Sequence, residues 1–384
     1  MLFNARAALK HELETPHQAR RWGSGWISGT AALVLSIAGL GAVLCMHFPD
    51  LLTTPQLRVV LLQPWLKPAV QATLLIAFAL ACLNIVLRRN KVLGFSAVFL
   101  IICASVLGVT IPVPATSLNA LGLDWFILNL LMTGVLFVPL EKSFPRLREQ
   151  ALFRTEWRED LLYFFVGSLL VQGLTFLTLL PSQVALAHTG DWHQLRALVS
   201  NQPIWLQFFE IMFLTDFVQY WLHRAFHRVP FLWGFHAVHH SAQTMDWLAG
   251  SRMHLVEIVC LRGLTVMPMQ VLGFEQTALY AYLVTVYLYA TYVHANLRFD
   301  VEFFKPLLVT PRFHHWHHGI EPEAVDVNFA VHFPILDRLF GTYYMPAGQW
   351  PSGYGVGGHP VPAGFMQQMV YPFQREKKQT PGLA

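Results

Sequence analysis

From Ser24 to Phe48 the chain carries no Asp, Glu, Lys or Arg, and the same is true of Pro68 to Leu87, Val92 to Val113 and Leu161 to Pro181. About 20 apolar residues cross the hydrocarbon of a bilayer as an α-helix, because in lipid every backbone N–H and C=O must be satisfied within the segment. Asp124 to Leu140 is shorter, and Ile204 to Leu222 carries Glu210 and Asp216, yet both fit the same pattern. Six spans are expected, and the fold class is an all-α integral membrane protein, a multi-span helical bundle. Composition agrees: 54% of residues are hydrophobic and 12% charged, the latter about half the share in an ordinary soluble protein. The first apolar stretch is too long for a signal-peptide core, and no small-residue cleavage pattern follows it, so it reads as a retained span.

Charge placement sets orientation. Arg6, Lys10, Arg20 and Arg21 precede the first span; Arg88, Arg89 and Lys91 follow the second; Lys142, Arg146, Arg148, Arg154 and Arg158 follow the fourth. The opposite loops hold only Arg58, Lys67 and Arg196. Basic loops stay in the cytoplasm, so the N-terminus and everything after Leu222 are expected there. The net charge of +4 follows from this asymmetry. No basic patch interleaved with aromatics appears, which argues against nucleic acid as a partner.

Eleven of the eighteen histidines lie between His223 and His318, all on the expected cytoplasmic side. Most form three clusters: His223 and His227; His236, His239 and His240; and His314, His315, His317 and His318. Residues four apart share a helix face, and the spacing 236-239-240 is repeated as 314-317-318, which points three imidazoles of each set to one side. With His223 and His227 these sets make eight imidazoles, more than one tetrahedral ion accepts, so two metals with room for oxygen or water fit the count better. Leu255 to Val293 is again mostly apolar, broken by Pro268 and by Gly273-Phe274-Glu275. It is expected to dip into the membrane as a hairpin with His254 and His294 at its cytoplasmic ends. The expected ligands are thus His223, His227, His236, His239, His240, His254, His294, His314, His317 and His318. His315, His332, His359 and the histidines before position 200 are read as ordinary polar residues.

The clusters contain no cysteine, which excludes iron–sulfur ligation. Cys45, Cys82, Cys103 and Cys260 stand alone in or near apolar segments and form no disulfide framework. His-Glu-x-x-His is absent, which argues against a hydrolytic zinc site of that kind. Imidazole-rich coordination suits iron and zinc alike. A histidine-rich membrane metal transporter and a zinc-dependent membrane hydrolase are therefore the alternative readings. The first predicts ligands distributed along several spans, the second a general base that the sequence does not offer.

Three further stretches match a known pattern: Asp216 to His227; Leu232-Trp233-Gly-Phe-His236-Ala-Val-His239-His240-Ser241 with Arg252-Met-His254 and Glu257; and Pro311-Arg312-Phe-His314-His315-Trp316-His317-His318 with Asn328-Phe329 and Asp337-Arg338-Leu-Phe340-Gly341-Thr342. At these residues the chain resembles the fatty acid hydroxylase superfamily, the sterol desaturase-like membrane proteins with histidine boxes, over roughly Glu156 to Met345. It departs from the pattern at Leu255, where proline is common, and at Ala330, where a larger residue or glycine is common. The resemblance implies a non-haem di-iron oxygenase that hydroxylates or desaturates an aliphatic C–H of a membrane lipid, an acyl chain or sterol. It implies two iron ions, with zinc a possible substitute in a purified sample, and O2 and a separate electron-donor protein as partners, since the chain has no flavin or dinucleotide fingerprint. Metal-bound imidazoles usually donate their other nitrogen to a carboxylate or carbonyl. Asp216 is the first candidate for that role, followed by Glu257, Asn328 and Asp337. The expected organisation is a four-span region over 1–150, a catalytic domain over 151–346, and a loosely wrapped Gly/Pro-rich tail over 347–384.

Overall fold

The computed structural model describes residues 2–16, 19–21, 23–108, 121–188, 192–299, 304–357 and 361–374. Among them the regular structure is helical, with two isolated backbone bridges, Pro145 to Leu297 and Gly319 to Tyr354, and no strand. The first helices are α1 (Leu2–Leu13), α2 (Trp26–His47), α3 (Pro49–Leu52), α4 (Pro55–Leu61), α5 (Leu66–Leu87) and α6 (Val92–Leu107). Then α7 (Leu123–Asn129) runs through a π-helical turn at Leu130–Gly134 into α8 (Val135–Ser143), followed by α9 (Trp157–Leu169), α10 (Val171–His188) and α11 (His193–Ser200). The remainder comprises α12 (Ile204–Arg228), α13 (Pro230–His240), α14 (Leu255–Leu272), α15 (Gln276–His294), α16 (Pro311–His317), α17 (Ile335–Leu339) and α18 (Phe365–Gln374).

Two compact units emerge. One contains Met1–Val138, Leu147–Thr155 and Ser168–Gln172; the other contains Pro139–Arg146, Glu156–Gly167 and Gly173–Ala384. The chain passes between them repeatedly over residues 139–172, where the sequence suggests a single boundary near 150.

In the first unit α2 packs against α5 and α6 around Val43, Met46, Leu74, Ala77 and Ile101. Small residues permit the approach, the usual device where lipid removes any hydrophobic drive between helices. A side chain on Gly39 would stand 2.5 Å from Leu74, and one on Gly29 would strike Asn84. Asn84 itself ties the three helices together: its amide donates to the Gly25 carbonyl at 2.7 Å, and its oxygen accepts from the Gly94 N–H at 2.9 Å.

Among the described residues four helices are long and apolar enough to cross a membrane: Trp26–His47, Leu66–Leu87, Leu123–Ser143 and Leu255–Leu272. The expected span at Leu161 to Pro181 is instead a bent pair, Trp157–Leu169 and Gly173–Ala187, meeting at 61°. The expected span beginning at Val92 is helical to Leu107, and its residues 109–113 lie outside the described ones. α12 differs from an apolar span for a visible reason. It buries a stripe of Gln207, Thr215, Asp216, Tyr220 and His223 against its neighbours, so polarity is concentrated on its inner face.

In the second unit α12 packs on α13, α14 and α15. α14 and α15 follow one another through a turn at Gly273, whose φ of +73° excludes most side chains, and each packs on α12. The described residues of the tail make specific contacts. The Trp316 indole donates to the Gln349 carbonyl at 3.0 Å, Arg146 donates to the Pro351 carbonyl at 3.0 Å and pairs with the Tyr354 hydroxyl, and α18 packs on α13. Its Gly- and Pro-rich backbone lies close to the surface and offers carbonyls as acceptors, which composition alone does not reveal. His359 lies outside the described residues.

Candidate metal centre

Two helix starts and one helix end aim the histidines. Pro230 occupies the first turn of α13, where its missing N–H costs nothing. Pro311 does the same in α16, whose cap, Thr310, accepts from the Phe313 N–H at 3.4 Å. α12 ends at Arg228, so His223 and His227 fall in its last two turns.

Nine imidazoles then gather in two groups. His223, His227, His236, His240 and His317 form one; His239, His294, His314 and His318 form the other; within each group the nitrogens lie within 4.8 Å of one another. The pairing follows helix geometry. α13 gives its i, i+4 pair, His236 and His240, to the first group and His239 to the second. α16 does the reverse, giving His314 and His318 to the second and His317 to the first. α12 and α15 complete the groups. The sequence suggests that each triplet shares one pocket; the structure instead divides each triplet between two, because the step of three turns its imidazole toward the other opposing helix.

The outward nitrogens are held. Nδ1 donates to the carbonyl of Phe329 from His223 at 2.9 Å, of Arg252 from His239 at 3.0 Å, of Ala290 from His294 at 2.7 Å, and of Val327 from His317 at 2.8 Å. His236 Nδ1 meets Glu257 Oε1 at 2.5 Å, and His227 Nδ1 faces Asp326 Oδ1 at 3.3 Å. A carbonyl can only accept, so Nδ1 carries the proton and Nε2 presents a lone pair inward. Burial, reinforced by neighbouring imidazoles, pushes His236, His239, His240, His314, His317 and His318 well below the ordinary histidine range. They are neutral at pH 7, the form that binds metal.

Facing lone pairs make the fit to a metal specific. His223 Nε2 stands 3.0 Å from His236 Nε2, and His239 Nε2 stands 3.3 Å from His294 Nε2. With both Nδ1 atoms protonated, neither neutral pair can form a hydrogen bond; a shared cation converts the repulsion into coordination. Nitrogens bound at about 2.1 Å to one ion stand about 3.0 Å apart at a right angle and about 3.4 Å apart at the tetrahedral angle. The remaining contacts, His236 to His240 at 3.2 Å, His240 to His317 at 3.0 Å, His294 to His314 at 3.0 Å and His314 to His318 at 3.2 Å, fall in that range. The residues present fit two ions.

His254 stands outside both groups. Its Nδ1 accepts from the Val256 N–H at 3.1 Å as the cap of α14, and its Nε2 donates to the Met369 carbonyl at 3.0 Å, so neither nitrogen is available to a metal. His315 is also turned away, toward the Tyr354 hydroxyl at 2.7 Å and the His294 carbonyl at 3.3 Å.

Of the expected outer partners, Glu257 reaches an imidazole directly. Asp216 does not. Its carboxylate accepts from the backbone N–H groups of Val331, His332 and Phe333 at 2.7, 3.1 and 2.6 Å, holding the segment whose Phe329 carbonyl receives His223. Asn328, at φ +58°, likewise braces backbone: it donates to the carbonyls of Phe313 at 3.0 Å and Tyr344 at 2.6 Å and accepts from the Tyr344 N–H. Asp337 accepts from Phe329, Ala330 and Thr342, and burial pushes its carboxyl up to about 6. Two partners are not among the expected ones. Asp326 sits in the loop after α16, and the hydrogen bond from His227 holds its carboxyl below the usual range. Arg252 offers its carbonyl to His239 while its buried guanidinium is gripped by Asp160 at 2.5 Å and Glu156 at 3.3 Å.

Residues 208–342, which include all nine converging histidines, match the model of a family described as fatty acid hydroxylase. The chain is 29% identical over 164 residues to ornithine lipid hydroxylase OlsE of Rhizobium tropici, covering 42% of this chain and 49% of that protein. It is 29% identical over 139 residues to alkylglycerol monooxygenase of Xenopus tropicalis, covering 36% and 30%. It is 31% identical over 131 residues to very-long-chain aldehyde decarbonylase GL1-11 of Oryza sativa subsp. indica, covering 34% and 49%. The chain thus spans about half or less of the length of these curated relatives. No solved structure matches it.

Proposed function

We propose that this chain is a membrane-bound non-haem di-iron oxygenase acting on an aliphatic C–H of a lipid, a reading supported by the match of residues 208–342 to the fatty acid hydroxylase family. One observation carries the reading: two adjoining all-imidazole groups, buried and neutral, with their inward nitrogens at coordination spacing. An unactivated C–H offers no acidic proton, so acid–base groups alone cannot break it; two iron ions would supply redox chemistry with O2 and two electrons. His223, His227, His236, His240 and His317 would hold one ion, and His239, His294, His314 and His318 the other. Glu257, Asp326 and the carbonyls of Phe329, Arg252, Ala290 and Val327 fix which nitrogen of each ring faces inward. All nine rings are buried or nearly so, which keeps water from the reacting carbon. Electrons come from a separate donor protein, and the lipid-hydroxylating relatives support a membrane lipid as substrate.

Comparing the masses of total lipid extracts from cells with and without the gene tests this. One lipid class is expected to gain one oxygen atom when the chain is present, or to lose two hydrogens if the reaction is desaturation. Unchanged lipid masses in a strain that makes metal-loaded protein would refute the assignment.

We read the N-terminus and the metal centre as cytoplasmic, which the bias of the basic loops supports. A reporter fused after Leu222 is accordingly expected to be active only in the cytoplasm. A signal from the far side of the membrane would reverse the orientation.

A further inference from the structure

α18 presents apolar side chains where a helix at a protein–water surface presents polar ones. Met366, Val370 and Phe373, spaced i, i+4 and i+7, are 67%, 42% and 59% exposed. Its inner side is held by Gln368, which bonds Tyr163 at 2.8 Å and Glu159 at 3.3 Å, by Phe365, whose ring meets Tyr163, and by Pro372 against Gly234. The helix is therefore amphipathic: its outward apolar side chains lie beside Gln367 and Gln374, which are themselves exposed. A helix with an exposed apolar face beside a polar edge suits the boundary between lipid and water.

Its depth is fixed by a histidine that leaves both metal groups. His254 caps α14, one of the four helices able to cross a bilayer, and its Nε2 donates to the Met369 carbonyl of α18. The backbone of α18 is thus one hydrogen bond from the residue at which that span begins. The apolar face continues onto α13: Phe231 and Phe373 both pack on the buried Phe235, at 5.2 and 5.5 Å between rings, and Phe231 is itself 52% exposed. In sequence, Arg375, Glu376, Lys377 and Lys378 follow directly, a net basic run suited to anionic headgroups.

We infer that α18 lies in the plane of the bilayer at its headgroup–acyl boundary, with Met366, Val370, Phe373 and Phe231 immersed in lipid. Interfacial helices bury their apolar face about 5–10 Å into that boundary. Because α18 packs on α13, which carries His236, His239 and His240, lipid lies one helix away from the metal centre. The inference rests on reading α14 as membrane-embedded.

Spin labels decide it, on the full chain in phosphatidylcholine–phosphatidylglycerol vesicles, with the exposed native thiols Cys82 and Cys260 replaced by serine. Labels are placed singly through Met366→Cys and Val370→Cys, with Leu264→Cys on α14 as the lipid control and Glu323→Cys as the water control. Collisions with dissolved O2 are expected to exceed those with a water-soluble nickel chelate several-fold at 366, 370 and 264, and the order to reverse at 323. If 366 and 370 behave as 323 does while 264 reports lipid, α18 faces water and the inference fails alone. If 264 also reports water, the reading of α14 fails with it. Labels at 366 and 370 shielded from both reagents, and freed on dilution into excess lipid, mean a second copy covers the face, which also overturns the inference.

Discussion

Replacing His239 with alanine is expected to reduce bound metal from about two ions per chain to about one, nine imidazoles being too many for a single tetrahedral ion, and to abolish lipid oxidation. His239 is one of four rings in its group, and its Nε2 is 3.3 Å from that of His294. Its loss leaves His294, His314 and His318 around one ion, while the five-membered group retains all its rings. Even outer partners of metal ligands are worth about 10–100-fold in affinity or activity, so removal of a ligand is expected to cost at least ~10²-fold in turnover. His254→Ala provides the contrast, since both its nitrogens are engaged elsewhere; it is expected to keep both ions. Metal analysis of purified protein, paired with turnover on lipid, checks both variants. Two ions and full turnover in His239→Ala would sink the ligand assignment; loss of an ion from His254→Ala would contradict the geometry of α14.

The contrast between His239 and His254 also shows what a linear sequence can convey. Spacing alone identifies His236 and His240, or His314 and His318, as one face of a helix, and each of those i, i+4 pairs stays together in three dimensions. The fate of the third ring in each triplet is different, since it depends on which helix lies opposite. α13 and α16 each divide their rings between the group that α12 completes and the group that α15 completes, and nothing local encodes that. His254 reads as a ligand because it lies among ligands in sequence. Its φ and ψ, −67° and 139°, are those of a helix cap, and the cap engages the nitrogen a metal would need. Asp216 misleads for a related reason. A carboxylate in an apolar helix must find donors, and three consecutive backbone N–H groups at 331–333 satisfy it as fully as an imidazole would. Asp326 shows the converse. A loop aspartate has no periodicity to mark it, and its place beside His227 follows from a φ of +59°. The apolar helices were the most legible part, because lipid leaves a chain few alternatives. The 61° bend between α9 and α10 was hidden, since a broken span and a straight one have the same composition.

The second large effect is expected at Glu257, and its asymmetry makes it informative. The carboxylate is fully buried, touches His236 through Oε1 at 2.5 Å, and has no hydrogen-bond partner for Oε2 among the described residues. A buried charge so placed is costly unless something nearby offsets it; two cations held by neutral imidazoles would do so. Glutamine at 257 keeps an oxygen that can accept the His236 proton and loses only the charge, whereas leucine removes both. Metal affinity at the five-histidine group is therefore expected to fall about 10-fold in Glu257→Gln and about 100-fold in Glu257→Leu, the range found for outer partners of ligating histidines. The four-histidine group, which Glu257 does not touch, keeps its affinity. A metal titration of the stripped protein would then resolve one weakened and one unchanged class of site. Equal weakening of both classes, or none in the leucine variant, would show that Glu257 serves the packing of α14 rather than the imidazole it faces.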